Sequence, residues 1–190
     1  MKETANALEW YQQGLWPLIG AVALIVATNV ASVVLVYIRA HASFRQQIKA
    51  DHVAFLKAQL TEFYDPLLAF LATNQHIFNT LGPSTFPHDE IQRNAAGEIW
   101  QQAKSRVILK NNRLIASLLE VKSHLMHASD DLDNYLELFR HVQTYEIFQE
   151  TSTDLYACFR FSAGIENHVK TMRAEIVKEL KQRSGIDNVK

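Results

Sequence analysis

One cysteine, four prolines and six glycines are all that the 190 residues contain of those types. The lone Cys158 forms no intrachain disulfide, which excludes a stapled secreted scaffold and fits a reducing compartment; its plainest role is that of a small buried hydrophobe. Scarce glycine and proline, with Gly82, Pro83 and Pro87 close together, leave little room for long loops. β-Branched alternation is almost absent after residue 38, so strands are not expected there. Charge of one sign is also lacking: 19 basic and 20 acidic residues give a net charge of −1, without the basic excess of a duplex nucleic-acid binder. Gly-x-Ser-x-Gly, a motif-placed Cys and His pair and a Gly-rich phosphate loop are all missing, so an enzyme is not expected.

Charge is absent again, and this time informatively, from Leu15 to Ile38. An apolar helix of about 20 residues crosses a bilayer, whereas a signal peptide has a core of about 7–15 residues and a small-residue cleavage site. This run is longer and leaves through Val36, Tyr37, Ile38 and Arg39. Trp10, Tyr11 and Trp16 before it and Tyr37 at its end suit the two interfaces. Arg39, Arg45 and Lys49 follow the run, with His41 adding little at neutral pH, and only Lys2 and the terminal amine precede it. The positive-inside rule then puts the N-terminus outside and the C-terminal part in the cytoplasm.

Within the span, Gly20, Ala23, Ala27 and Ala31 fall on one stripe that would let a second helix approach closely. Thr28, Asn29 and Ser32 lie beside it, and a polar group at that depth ordinarily faces protein or water. A plain single-pass anchor contains the same residues. Self-association and a narrow pore lined by this polar group are the functional alternatives.

The expected fold is all-α: an N-terminal segment (1–14), a single-pass transmembrane helix (15–38), a stalk helix (39–63) with Phe44, Ile48, Phe55, Leu56, Leu60 and Phe63 on one face, and a helical cytoplasmic bundle (64–190). Asp65 and Pro66 suggest an N-cap and first-turn proline, so that a new helix or a kink begins there and runs until Gly82 and Pro83 stop it. A helix over 89–107 would turn Ile91, Ala95, Ile99 and Trp100 inward. Asn111 or Asn112 would cap the next, through Leu114, Leu118 and Leu119. Ser129, Asp130 and Asp131 would cap another, carrying Leu132, Tyr135, Leu136, Phe139, Val142 and Phe148. After a turn at 152–153 and an aromatic stretch at 158–161, Gly164 precedes a final helix whose alternating charges suit a solvated face or anionic lipid.

Sites are weakly marked. His124, His127, Asp130, Asp131 and Asp133 are metal-ligand types, but caps and surface histidines have the same spacing, and no metal or cofactor is expected. His141, Tyr145 and Glu146 share a helix face and suit a ligand pocket or a packing network. Lys104, Arg106, Lys110 and Arg113, beside Asn111 and Asn112, suit a nucleotide-type ligand or single strand, or a solvated face.

Phe63 to Leu67, Gly82 and Pro83 with Phe86 and Pro87, Trp100, Asn111 and Asn112, Lys122 to Leu125, Asp133 to Tyr135, His141, Tyr145 to Phe148 and Phe159 to Phe161 resemble a family of bacterial proteins. Its members have an N-terminal membrane helix and a helical cytoplasmic domain. The resemblance covers about residues 60–168 and departs at Lys110, where a proline is expected, and at Phe161 and Ser162, where Phe-Pro is expected. It implies an architecture and no reaction. The shape also resembles small membrane effectors of anti-phage systems. The expectation is therefore a homo-oligomer in the bacterial inner membrane, contacting lipid and sensing a cytoplasmic protein or nucleotide-type signal, with spans that form a channel or perturb the membrane. The alternative is an anchored scaffold that recruits a cytoplasmic partner.

Overall fold

A computed structural model describes the backbone of residues 2–147 and 164–185, and side chains for 15–147 and 164–185. The Trp10 and Tyr11 rings, Phe148, the turn at 152–153, Cys158 and the aromatic stretch at 158–161 lie outside the described residues. Within them the chain is all-helical. The helices are α1 (Lys2–Gln59), α2 (Asp65–Leu81), α3 (Glu90–Ala103), α4 (Leu109–Lys122), α5 (Leu132–Ile147) and α6 (Ile165–Ser184).

The chain divides into two compact units, Met1–Asp51 and His52–Lys190, so the division falls inside the segment expected as stalk. In the first unit every described side chain is exposed. Its most apolar 18-residue window has a mean hydropathy of 2.4 and is 0% buried, long and apolar enough to cross a membrane. Positions 15–38 rise about 36 Å at 1.5 Å per residue, against a hydrocarbon core of about 30 Å.

The second unit buries its apolar face in one cluster. Leu56, Leu60, Phe63 and Tyr64 enter it from the end of α1 and the turn after it, Leu67 and Leu71 from α2, and Ile115 and Leu119 from α4. Tyr135, Leu138 and Val142 of α5 meet Val169, Met172 and Ile176 of α6 there. Of the face expected along 44–63, only Leu56, Leu60 and Phe63 are buried; Phe44, Ile48 and Phe55 stay exposed because Phe44 and Ile48 precede the second unit and Phe55 points out of it.

Two wide turns correct the expected boundaries. Leu60–Tyr64 is π-helical, with the Asp65 N–H donating to the Leu60 carbonyl five residues back. Pro66 lacks an N–H and its ring crowds the carbonyl four residues earlier, so one extra residue in the turn lets the chain stay helical where a plain α-helix would kink. Asp65 is accordingly helical (φ −65°, ψ −49°) and not a cap; its carboxylate receives Arg173 Nε of α6 at 2.5 Å. A second π turn, Lys104–Ile108, joins α3 to α4, so Asn111 and Asn112 sit inside a helix and cap nothing.

Asp89 does cap α3, accepting the Gln92 N–H at 2.9 Å. The inward face expected of α3 reduces to Trp100, set edge-on to Phe78 of α2 at 5.9 Å between ring centroids. Ile91 is 81% and Ile99 53% exposed, and Ala95 is exposed too, because the start of α3 has no helix packed over it among the described residues. α4 and α5 behave likewise at their edges, with Leu114, Leu132 and Leu136 exposed. Gly82 ends α2 with its N–H on the Phe78 carbonyl at 3.0 Å, where any Cβ would collide with that oxygen. Gly185 closes α6 at φ 73°, the left-handed conformation that glycine adopts without strain.

Candidate functional site

Among the described residues of the second unit, Asp130 is the most heavily bonded, with its side chain 0% exposed. Asp131 takes the capping role expected of the cluster, accepting the Asp133 N–H at 3.0 Å, and this frees Asp130 to turn inward. Its Oδ2 accepts from Tyr64 Oη at 2.5 Å and Tyr135 Oη at 2.7 Å. Its Oδ1 accepts from the Asp131 N–H at 2.8 Å and from His168 Nε2 at 2.6 Å. An ionised carboxylate only accepts, so Nε2 of His168 is the protonated nitrogen. Burial of a charge is tolerated when every lone pair is used, and four donors fill the roughly four acceptor positions of a carboxylate.

The π turn after α1 positions Tyr64, and the first turn of α5 positions Tyr135, with Phe63 lying against both rings at 5.0 and 5.8 Å between centroids. Tyr64 Oη also accepts the His127 N–H at 3.0 Å. Burial first, and the Asp130 carboxylate second, push both phenols well above their ordinary range, so both remain donors at neutral pH. One carboxylate thus ties together the π turn, the loop before α5, α5 and α6. All four of these bonds are spent on holding these elements together.

An outer polar layer adjoins it. Glu179 of α6 meets His52 Nε2 at 3.0 Å, His127 Nε2 at 3.5 Å and Arg183 at 3.1 Å. The bond from His52 is the main cause holding the Glu179 carboxyl below its ordinary value. His127, Glu175, Lys178, Glu179, Gln182 and Arg183 line a shallow open groove. Its mixed charge and open shape suit a protein surface better than a small enclosed ligand.

Among the residues singled out by sequence, Asn111 and Asn112 are buried and spent on a ladder to α2. Asn111 Nδ2 donates to Asn74 Oδ1 at 2.9 Å, and Asn74 Nδ2 donates to Asn112 Oδ1 at 3.0 Å. Arg113 and Glu146 come together at 2.6 Å across α4 and α5 on the surface; Lys110 is exposed. His141 and Tyr145 lie with ring centroids 6.0 Å apart. Lys104 Nζ stands 5.5 Å over the Tyr145 ring, whose phenol burial pushes up to about 12. No group of three His, Cys, Asp or Glu among the described residues is placed to hold a metal ion.

In the apolar run, Gly20, Ala23, Ala27 and Ala31 are exposed, and the space around Gly20 is open. Thr28 Oγ1 donates to the Leu24 and Ile25 carbonyls at 2.9 Å, Asn29 Nδ2 to the Ile25 carbonyl at 2.9 Å and Ser32 Oγ to the Thr28 carbonyl at 2.8 Å. Each polar side chain there satisfies a donor within its own helix.

The Asp130 constellation was missed by sequence reading. Asp130 and Tyr64 are 66 positions apart, and each has an ordinary local reading, as a helix cap and a core aromatic. Comparison with known proteins finds no matching family model, no similar curated protein and no similar solved structure.

Proposed function

We propose that this chain is a non-enzymatic, single-pass membrane protein: residues 15–38 cross the bacterial inner membrane, the N-terminus lies outside, and the helical C-terminal unit recognises a cytoplasmic protein or nucleotide-type signal. The observation that carries this reading is the complete exposure of an apolar run long enough to span a bilayer. The core helix of a water-soluble protein would be covered, and exposed apolar surface on this scale needs lipid or a partner. Arg39, Arg45 and Lys49 after the run support the orientation. The bonds of Thr28, Asn29 and Ser32 to carbonyls of their own helix favour the tether, because each turns a polar donor inward without needing a second span. The open groove beside His127 is the natural recognition surface.

A second reading is favoured by the exposed stripe of Gly20, Ala23, Ala27 and Ala31. In it the spans pack into a homo-oligomer that conducts ions or perturbs the membrane, in keeping with the architectural resemblance to anti-phage effectors. Exchange of residues 15–38 for an unrelated single span tests both: a tether retains its function and a channel loses it. Recovery of the intact protein in the soluble fraction after alkaline carbonate washing of membranes would overturn both readings.

A further inference from the structure

Between residues 10 and 50 the chain has no aspartate or glutamate at all. The first acid afterwards, Asp51, already accepts from Gln47 Nε2 at 2.8 Å, one turn away. In that acid-free stretch the positive charges, Arg39, Arg45 and Lys49, with His41 among them, all come directly after the apolar run, and all four are exposed. Tyr37, His41, Arg45 and Lys49 recur at four-residue intervals and so lie along one side of α1. The first two rings are stacked parallel, with centroids 6.2 Å apart.

We propose that this side of α1, together with Arg39, is a docking surface for the negatively charged phosphate headgroups of a bilayer. The proposal rests on the reading of 15–38 as a span. Depth supports it: Arg39 lies about 1.5 Å, Arg45 about 10 Å and Lys49 about 16 Å beyond Ile38 along the helix. Side chains on a helix tilt toward its N-terminus, and Arg and Lys extend long stems while keeping the charge in water, so all three reach back toward the headgroup layer. Tyr37 sits where an amphipathic ring prefers the interface. Complementarity is unopposed within this stretch, because no carboxylate lies between residues 10 and 50 to compete for these cations. An anionic headgroup meets positive charge on the C-terminal side of the span and none on the other face between residues 10 and 14.

The test uses full-length protein in phosphatidylcholine vesicles that carry a trace of spin-labelled phosphatidylglycerol or spin-labelled phosphatidylcholine, with electron spin resonance reporting the lipid held at the protein surface. The expected result is a preference for phosphatidylglycerol of about five-fold, the effect of one basic residue near an anionic surface. It should fall to parity in the R39Q/R45Q/K49Q variant and in about 1 M salt, where the screening length is about 3 Å. R39K/R45K should keep it, and the exposure of all three sites leaves the fold undisturbed. Equal retention of both lipids by the wild type, or a preference that survives the glutamine substitutions, would overturn the proposal while the span stands. Displacement of the labelled lipid by inorganic phosphate at constant ionic strength would make this a free-anion site and overturn it as well. Protein washed off the vesicles by carbonate would refute the span itself, a failure distinct from the others.

Discussion

Among the described residues, the first unit bonds the polar side chains of its apolar run to their own helix and exposes every apolar one, whereas the second buries a cluster of apolar side chains and ties Asn74 and Asp130 to other helices. Asn29 returns to the Ile25 carbonyl one turn back, whereas Asn74 reaches two asparagines on α4. On the proposed reading of residues 15–38 as a span, the contrast follows from lipid around one unit and water around the other. A helix in lipid gains nothing by hiding leucine or valine and must satisfy its donors locally. A helix in water gains about 25 cal/mol per Å² of apolar surface buried and brings its polar groups inside only when another element completes them.

The largest break in this comparison comes from Asp130→Ala. The substitution removes a buried acceptor from Tyr64, Tyr135 and His168 at once. Leaving a buried donor without its acceptor costs about 1–3 kcal/mol, and the two buried phenols lose theirs together. Urea unfolding of the detergent-solubilised protein, followed by the near-ultraviolet signal of the buried tyrosines, should show the second unit losing that much while the helix of the first persists. Tyr64→Phe is milder. It keeps the ring in the core and removes one hydroxyl, and should cost about 1.5–3 kcal/mol, the range for a hydrogen bond to a charged group. A change under 0.5 kcal/mol would show that the carboxylate re-pairs without it.

Ala27→Leu with Ala31→Leu sharpens the other half. These exposed positions lie outside the second unit, so its unfolding should shift by less than about 0.5 kcal/mol. Light scattering with detergent subtraction then decides between the two readings of the span: a mass that falls toward the monomer supports packing through the small-residue stripe, and an unchanged mass removes that interface.

How much of this was legible in sequence depended on the range of the physics involved. The apolar run, the start of α3 near Asp89 and the Gly82 stop are all readable from neighbours within a few positions, since helix periodicity and capping are local. The π turn at 60–64 was hidden because Asp-Pro has the same local appearance in a helix start and in a helix continued through a widened turn. Asn111 and Asn112 were misread as caps for the same reason: the asparagine amide suits a cap or a cross-helix ladder equally, and Asn74, which decides between them, is 37 and 38 positions away. Ile91 and Ile99 had the right spacing for an inward face and are covered by no helix among the described residues, because periodicity marks a stripe without supplying what covers it.

A small effect is also expected of Glu179, at the edge of the second unit, which bonds both within its helix and beyond it. It bonds Arg183 on its own helix and His52 and His127 beyond it. Its folded carboxyl titrates below the ordinary value of 4.5, chiefly through His52. A depressed carboxylate stabilises the fold where it is ionised in both folded and unfolded states, above about 4.5, and that stabilisation is lost as pH falls through the lower folded value. Partly exposed pairs of this kind contribute about 0.2–1 kcal/mol. Glu179→Gln should therefore lower stability by that amount at pH 6 and differ less from the wild type at pH 3, as read from paired urea titrations. A difference of equal size at both pH values would mean that Glu179 acts by packing its stem against α1, and that charge adds nothing to the way α6 is held.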